Sequence, residues 1–257
     1  MSNEKPFVWP EGRQGAISLT FDDGLRSQLE VAIPRLEERG LRGTFYLNPR
    51  GEDWQERWAP WQTTQKAGHE MGNHTIAHPC SLNVQLTLQT WTLAQIEGDV
   101  LEAQRRMNIL FPEQKERSFA YPCYESCVGR GLTRQSYVPI IARHFIAARA
   151  KGLSMRGNHP LYADLHYLSS WGAERMASWE MIGLAEECMA QGWWGIFTFH
   201  GVNEGHLPIS EHDLCALLDY LARYKERIWT APVVVVARYI KEVPSGHPSA
   251  GKLKAES

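Results

Sequence analysis

The chain has 257 residues, 43% of them hydrophobic, which is enough to bury one large core and excludes disorder as its main state. Its 27 Lys and Arg against 29 Asp and Glu leave a net charge of −2 with no long run of one sign, so neither a nucleic-acid surface nor an anionic-membrane surface has an electrostatic footprint. Ten Trp and ten His stand out: Trp suits stacking against sugar rings and His suits metal or acid/base chemistry, although core filling and solvated surface positions are the ordinary uses of both.

The elements follow in chain order. The start, Met1 to Pro10, lacks a basic segment leading into an apolar one, and no later run approaches the roughly eighteen apolar residues that span a bilayer, so a cytoplasmic chain is expected. Ala16 to Phe21 reads as a strand ending in Asp22-Asp23-Gly24, and Leu29, Ala32, Ile33 and Leu36 place a helix over 26–39, closed by Gly40. Gly43 to Leu47 is a second strand, followed by a Trp-rich segment and a helix to Gly68, then a short strand over His69 to Asn73. A helix is expected over about 85–110, a strand at Ser118 to Tyr121 stopped by Pro122, a helix over about 133–143 and a strand over His144 to Ala148. Helix 174–190 leads to the strand Trp194 to Phe199, helix 210–225 leads to an apolar run at Ala231 to Val236, and a last helical turn reaches about Val243.

Strands apolar on both faces, each followed by a helix, mean a parallel sheet covered by helices. The length, and the lack of a G-x-G-x-x-G after the first strand, favour an irregular (β/α) barrel of about seven parallel strands over an open doubly wound sheet. Residues 1–243 read as a single α/β domain, and 244–257, rich in Pro, Gly, Ser and Lys, as a mobile tail. The five Cys, at 80, 123, 127, 188 and 215, are odd in number and lack a C-x-x-C pair, so free thiols in a reducing compartment are expected.

In such a barrel the reactive groups gather at the C-terminal ends of strands. Four ends carry them here: Asp22-Asp23, His74-Thr-Ile-Ala-His78, Tyr121-Pro122-Cys123 and His200-Gly201. In a helical turn His74 and His78 lie on one face and can share a cation, and Asp22 or Asp23 can supply a third ligand while its neighbour serves as a base. Gly24 permits the tight turn after the pair. A thiol nucleophile at Cys80 or Cys123 has no His/Asn partner pattern to support it.

Thr20-Phe-Asp-Asp-Gly24, the His74 to His78 element and a strand ending in Phe199-His200 together resemble the polysaccharide deacetylase family, the NodB-homology or family 4 carbohydrate esterases, over about Gly15 to Val243. The resemblance implies an irregular (β/α) barrel, Asp22 as catalytic base, Asp23, His74 and His78 as metal ligands, and His200 as general acid. Two departures stand against it. Where the family carries Arg-x-Pro-Tyr or Arg-x-Pro-Phe, this chain reads Ala120-Tyr-Pro-Cys-Tyr124, so the Arg that orients the catalytic Asp is absent. The Asp-x-x-Asp-Trp element that supports the acid His is also missing, its region reading Met155-Arg156-Gly-Asn-His-Pro160, with Arg156 the candidate to restore the lost charge.

The backbone N–H of Cys123 can still serve an oxyanion, since a backbone donor does not depend on the side chain. Trp54, Trp58 and Trp61, in an insertion after the second strand, are candidates for a sugar platform, and Tyr121, Arg156 and His206 for substrate contacts. Two His and one Asp suit Zn²⁺ first, with Co²⁺, Mn²⁺, Ni²⁺ or Fe²⁺ compatible by ligand type. The expected function is metal-dependent removal of acetyl groups from a carbohydrate, N-acetyl ahead of O-acetyl, because an amine leaving group needs the proton of a positioned acid. Alternatives are hydrolysis of another small-molecule amide, as in relatives resembling allantoinase, and sugar binding by a vestigial site. The expected partner is a carbohydrate or acylated small molecule, without nucleic acid or membrane; rim insertions are compatible with a homodimer.

Overall fold

A computed structural model describes residues 7–81, 87–152 and 156–243. The expected tail, 244–257, lies outside the described residues. The first unit comprises β1 (Gly15–Asp22), a π-helical turn (Gln28–Ala32) that runs on into α1 (Ile33–Glu37), and β2 (Thr44–Leu47). Helices α2 (Trp54–Trp58) and α3 (Trp61–Lys66) lead to β3 (Glu70–Asn73), and α4 (Leu93–Leu110) to β4 (Ser118–Ala120). A small antiparallel pair, β5 (Cys127–Val128) and β6 (Gln135–Ser136), precedes α5 (Val138–His144) and β7 (Ala147–Arg149). The chain continues through β8 (Trp171–Gly172), α6 (Ser178–Gln191), β9 (Trp194–Phe199), α7 (Glu211–Arg223), β10 (Ile228–Thr230) and α8 (Val233–Glu242).

The main sheet has the order β7-β4-β3-β2-β1-β9-β8, all neighbours parallel. β10 adds to the start of β1, below the point where β2 joins it. The sheet curls into the expected irregular barrel. Its ends meet through residues 165–170, where Ala148 and Ala150 donate to the carbonyls of Leu165 and Leu168 at 2.7 and 2.8 Å before the chain enters β8. Every residue of β1 is buried, as a strand covered on both faces requires, and Phe21 stacks between Phe45 and Phe199 at 5.0 and 5.1 Å on the face packed against the helices.

Helix α4 starts on a capping box, with Thr92 and Gln95 satisfying each other's backbone N–H groups, and buries Ile96, Val100, Ala103, Met107 and Leu110 at helical spacing. Its onset at Leu93 is later than expected. Residues 133–137, expected as helix, form a turn and β6 instead, with Pro139 setting the first turn of α5. The apolar run at 231–236 is also different: Val233 begins α8, which buries Val233, Val234, Val236 and Ala237 on one side. A run of β-branched residues accepts a helix here because tertiary bonds satisfy its exposed start. The N–H of Val233 donates to Thr44 Oγ1 and that of Val234 to Glu70 Oε2, both 2.9 Å, at the foot of the barrel.

Candidate active site

The four predicted strand ends do meet. Asp22, Asp23, His74, His78, Tyr121, Cys123 and His200 line one cavity of about 380 Å³ at the C-terminal rim, with Tyr124, Lys151, Glu174, His206 and Leu207. Asp22 closes β1 and is 4% exposed, whereas Asp23 leaves the strand with φ 73° and is half-buried. Gly24 continues the turn at φ +60°, and a Cβ there would lie 2.4 Å from the Trp58 ring, so only glycine fits beneath it.

The His74 to His78 segment is a loop and not the helical turn expected, with Thr75 and His78 both in the left-handed region at φ 66° and 51°. The loop still brings the imidazoles together, their centroids 4.8 Å apart. Its shape is held by side chains: Asp99 on α4 accepts from the N–H of Ile76 at 2.8 Å and of Ala77 at 3.0 Å, and the Asn48 amide donates to the carbonyls of His74 and Thr75. His74 Nδ1 bonds the Ala120 carbonyl at 2.8 Å, which turns Nε2 into the cavity. His74 Nε2 and His78 Nε2 each stand 3.7 Å from Asp23 Oδ1, and one ligand atom from each of these three residues lies within 4.8 Å of the others. Burial lowers the His74 pKa to about 4, which keeps its imidazole a neutral donor for a cation.

The missing arginine is present at another place in the chain. Arg149, the last residue of β7, is fully buried and grips Asp22 with Nη2 at 2.7 and 2.5 Å from the two carboxylate oxygens, while its Nη1 donates to Thr198 Oγ1 at 2.7 Å. Tyr46 and Tyr124 face the guanidinium at 5.1 and 5.5 Å. Burial would raise the Asp22 pKa, but the charges of Arg149, His74 and His200, with the Arg149 hydrogen bond, outweigh it and hold the carboxyl below its ordinary range. Arg156, the sequence candidate for this charge, does not line the cavity. Sequence reasoning overlooked Arg149 although it carried a signal, since it is a cation closing the otherwise apolar stretch Phe145 to Ala148.

Gln28 was not predicted either; its amide donates to the carbonyls of Asp22 and His200 at 2.5 and 3.0 Å and joins the ends of β1 and β9. His200 and Glu174 line the cavity, and His200 Nδ1 and Glu174 Oε2 are buried there without a hydrogen-bond partner. Tyr121 is buried and donates its hydroxyl to the His166 carbonyl at 2.8 Å, and His206 is exposed with its ring 6.4 Å from that of His200.

Cys80 and Cys123, expected as free thiols, form a disulfide with Cα atoms 5.8 Å apart; Cys127, Cys188 and Cys215 are free. The two are distant in sequence, but the loops after β3 and β4 are neighbours because those strands pair. Of the Trp candidates, Trp58 and Trp61 are 5% and 2% exposed and belong to the core under a neighbouring cavity, while Trp54 packs against that core beneath the Arg106 guanidinium at 5.4 Å. No described helix is long and apolar enough to cross a membrane.

Residues 10–126 match the family described as polysaccharide deacetylase, the family that the motifs at 20–24 and 74–78 resemble. Gellan lyase from Bacillus sp is 23% identical over 265 residues, which take in 93% of this chain but 10% of that protein, so the chain spans about a tenth of its length. Among solved structures, a candidate polysaccharide deacetylase from Mycobacterium smegmatis superposes with TM-score 0.61 at 14% identity, over 98% of this chain and 100% of that one. A family 4 acetyl xylan esterase from Clostridium thermocellum, solved with a cobalt ion, superposes with TM-score 0.56 at 14% identity, over 90% and 94%. At these identities the structures show a shared fold.

Proposed function

We propose that the chain is a metal-dependent hydrolase that removes acetyl groups from a carbohydrate, N-acetyl in preference to O-acetyl. One observation carries this reading: the ligand atoms of Asp23, His74 and His78 cluster within 4.8 Å at a cavity that also presents an arginine-held Asp22 and His200. Two imidazoles and one carboxylate fit a divalent ion with positions left for water and substrate, and the Ala120 carbonyl that orients His74 is the outer-shell support such ligands need. Zinc suits this donor set best, and cobalt, manganese, nickel and iron are compatible.

A bound divalent ion would polarise the acyl carbonyl and acidify the attacking water. The residues supply the remaining chemistry. Asp22, ionised through its bond to Arg149, takes the water's proton. The Cys123 N–H donates to the developing oxyanion, and His200 protonates the departing amine or alcohol. An amine departs only when protonated, so a dedicated acid supports the amide as the bond cleaved. Tyr121 and His206 line the cavity where the acylated sugar would sit. A motif arginine missing beside the base would favour a binding-only site, but Arg149 holds Asp22 here.

The experiment is acetate release from acetylated chito- and xylo-oligosaccharides, small acyl sugars and cyclic amides, by protein of measured metal content. About one divalent ion per chain is expected, with Asp22→Asn and His74→Ala each lowering turnover by at least about a thousandfold. Normal turnover in either variant overturns the mechanism. Sugar binding without acetate release returns the binding-only reading, and cleavage of the amides alone returns the small-molecule one.

A further inference from the structure

Three cavities meet at the rim. On one side of the reaction cavity lies a larger one of about 670 Å³ that shares Asp23, His78 and His206 with it. On the other lies one of about 440 Å³ that shares Tyr124. The first is lined by Arg50 and Arg57, the second by Arg130 and Arg134, all four exposed.

The charges around them are uneven. Elsewhere Arg35, Arg39, Arg105, Arg143 and Arg238 are each held by a carboxylate at 2.7 to 2.9 Å, whereas Arg223 and Arg227 lie against the Tyr224 ring. Arg26, also in the larger cavity, pairs with Glu30 at 2.6 Å. Arg50, Arg57, Arg130 and Arg134 have no ion-pair partner among the described residues. Of the acids that line these cavities, Glu204 accepts from the Ser27 N–H at 2.8 Å, Glu125 accepts from the N–H and hydroxyl of Ser81, both 2.8 Å, and Asp23 stands with His74 and His78. Two pairs of guanidiniums outside any ion pair therefore adjoin the acyl site, one pair in each neighbouring cavity. A net charge of −2 gives the molecule no general affinity for anions.

We propose that the substrate is an acidic glycan, its acylated residue internal to the polymer, with uronic carboxylates seated on Arg50 and Arg57 on one side and on Arg130 and Arg134 on the other. This rests on the deacetylase reading and adds the substrate class to it. Cavities on both sides of the reacting centre suit a chain that continues in both directions. The planar guanidinium fork matches a carboxylate in two parallel hydrogen bonds, which a neutral sugar cannot return.

The test is calorimetric titration of the metal-loaded protein with a long oligogalacturonate, an uncharged xylo-oligosaccharide and a dextran sulfate of equal length, beside acetate release from acetylated forms of the first two. Oligogalacturonate is expected to bind about tenfold or more tighter than the xylo-oligosaccharide, and to weaken about tenfold between about 0.05 M and about 0.5 M salt. R50Q/R57Q and R130Q/R134Q should each lose about tenfold in affinity for it, with the R50K/R57K pair retaining the salt dependence. Equal affinity for the neutral chain, or unchanged binding by both Gln pairs with unaltered circular dichroism, overturns the proposal. Tighter binding of dextran sulfate overturns the carboxylate assignment. Binding of the acidic chain without acetate release from any glycan breaks the deacetylase reading and leaves the groove standing, whereas acetate release without a charge preference does the reverse.

Discussion

Arg149 is fully buried, and so is the carboxylate it grips, so the pair is tied to both stability and chemistry. Removing one partner of a buried pair leaves the other charge desolvated and costs about 3–5 kcal/mol. In Arg149→Met, burial would act on Asp22 without its main opposing charge, and the Asp22 pKa would rise from its present depressed position. A base with a lowered pKa stays ionised to lower pH than an ordinary carboxyl, whereas one with a raised pKa is protonated at higher pH. Arg149→Met is thus expected to lower kcat by about a hundredfold or more and to move the acid limb of the pH-rate profile upward. Arg149→Lys, which retains charge but loses the fork, should fall between. A pH profile unmoved in Arg149→Met would mean that the arginine only fills space. Asp22 and Asp23 were legible because they close a strand in one chain with the His74 to His78 element and Phe199-His200; an Asp-Asp-Gly alone is a common turn. Arg149 sits a hundred and more residues away, and nothing local links it to Asp22.

The loops after β3 and β4 show what local patterns miss. An H-x-x-x-H spacing reads as a helical turn, but here Asp99 and Asn48 fix a loop with left-handed residues that reaches the same juxtaposition of rings. The ligand pair was therefore legible and its backbone was not. Cysteine parity misled in the same way, since an odd count and wide spacing hide a bridge that only strand pairing brings together. That bridge joins the loop carrying His78 to the one carrying the Cys123 N–H. Its closed loop, a separation of 43 residues, corresponds to about 4 kcal/mol of chain-entropy stabilisation in the simplest account. Thiol reduction, or Cys80→Ser with Cys123→Ser, should lower the thermal midpoint and reduce kcat about fivefold or more by loosening the donor loop. Full activity of the wild type in strong reductant, with both thiols titratable, would show that the bridge does not hold the site.

At the scale of the molecule, the two ends of the barrel do different work. The alternation of apolar strands and amphipathic helices made the parallel barrel legible, because that period follows from burial on both faces. Its closure through residues 165–170 was not, since backbone bonds to β7 hold that segment in place of an apolar run. Nor was α8, whose start depends on Thr44 and Glu70 from other strands. The foot of the barrel also carries the molecule's response to acid. His69, beside β3, accepts the Gly43 N–H at Nδ1 at 3.0 Å and has its side chain sealed from solvent, with Glu37 3.6 Å from Nε2. Burial, with the Arg42 charge, lowers its pKa to about 4 from an unfolded value near 6.5. The unfolded chain therefore binds a proton in that window which the folded chain refuses, so stability is fully present above about pH 6.5 and is lost as pH falls towards 4. Between pH 7 and 5 the loss from this one residue is about 2 kcal/mol, or about 5 °C in thermal midpoint for a chain of this size. His69→Asn, whose Oδ1 can accept the Gly43 N–H but cannot titrate, should flatten that decline in calorimetry of chelator-treated protein, where release of bound metal does not contribute. Some decline would remain through His74, which burial shifts in the same direction. An identical fall in midpoint for wild type and His69→Asn between pH 7 and 5 would place the acid sensitivity elsewhere.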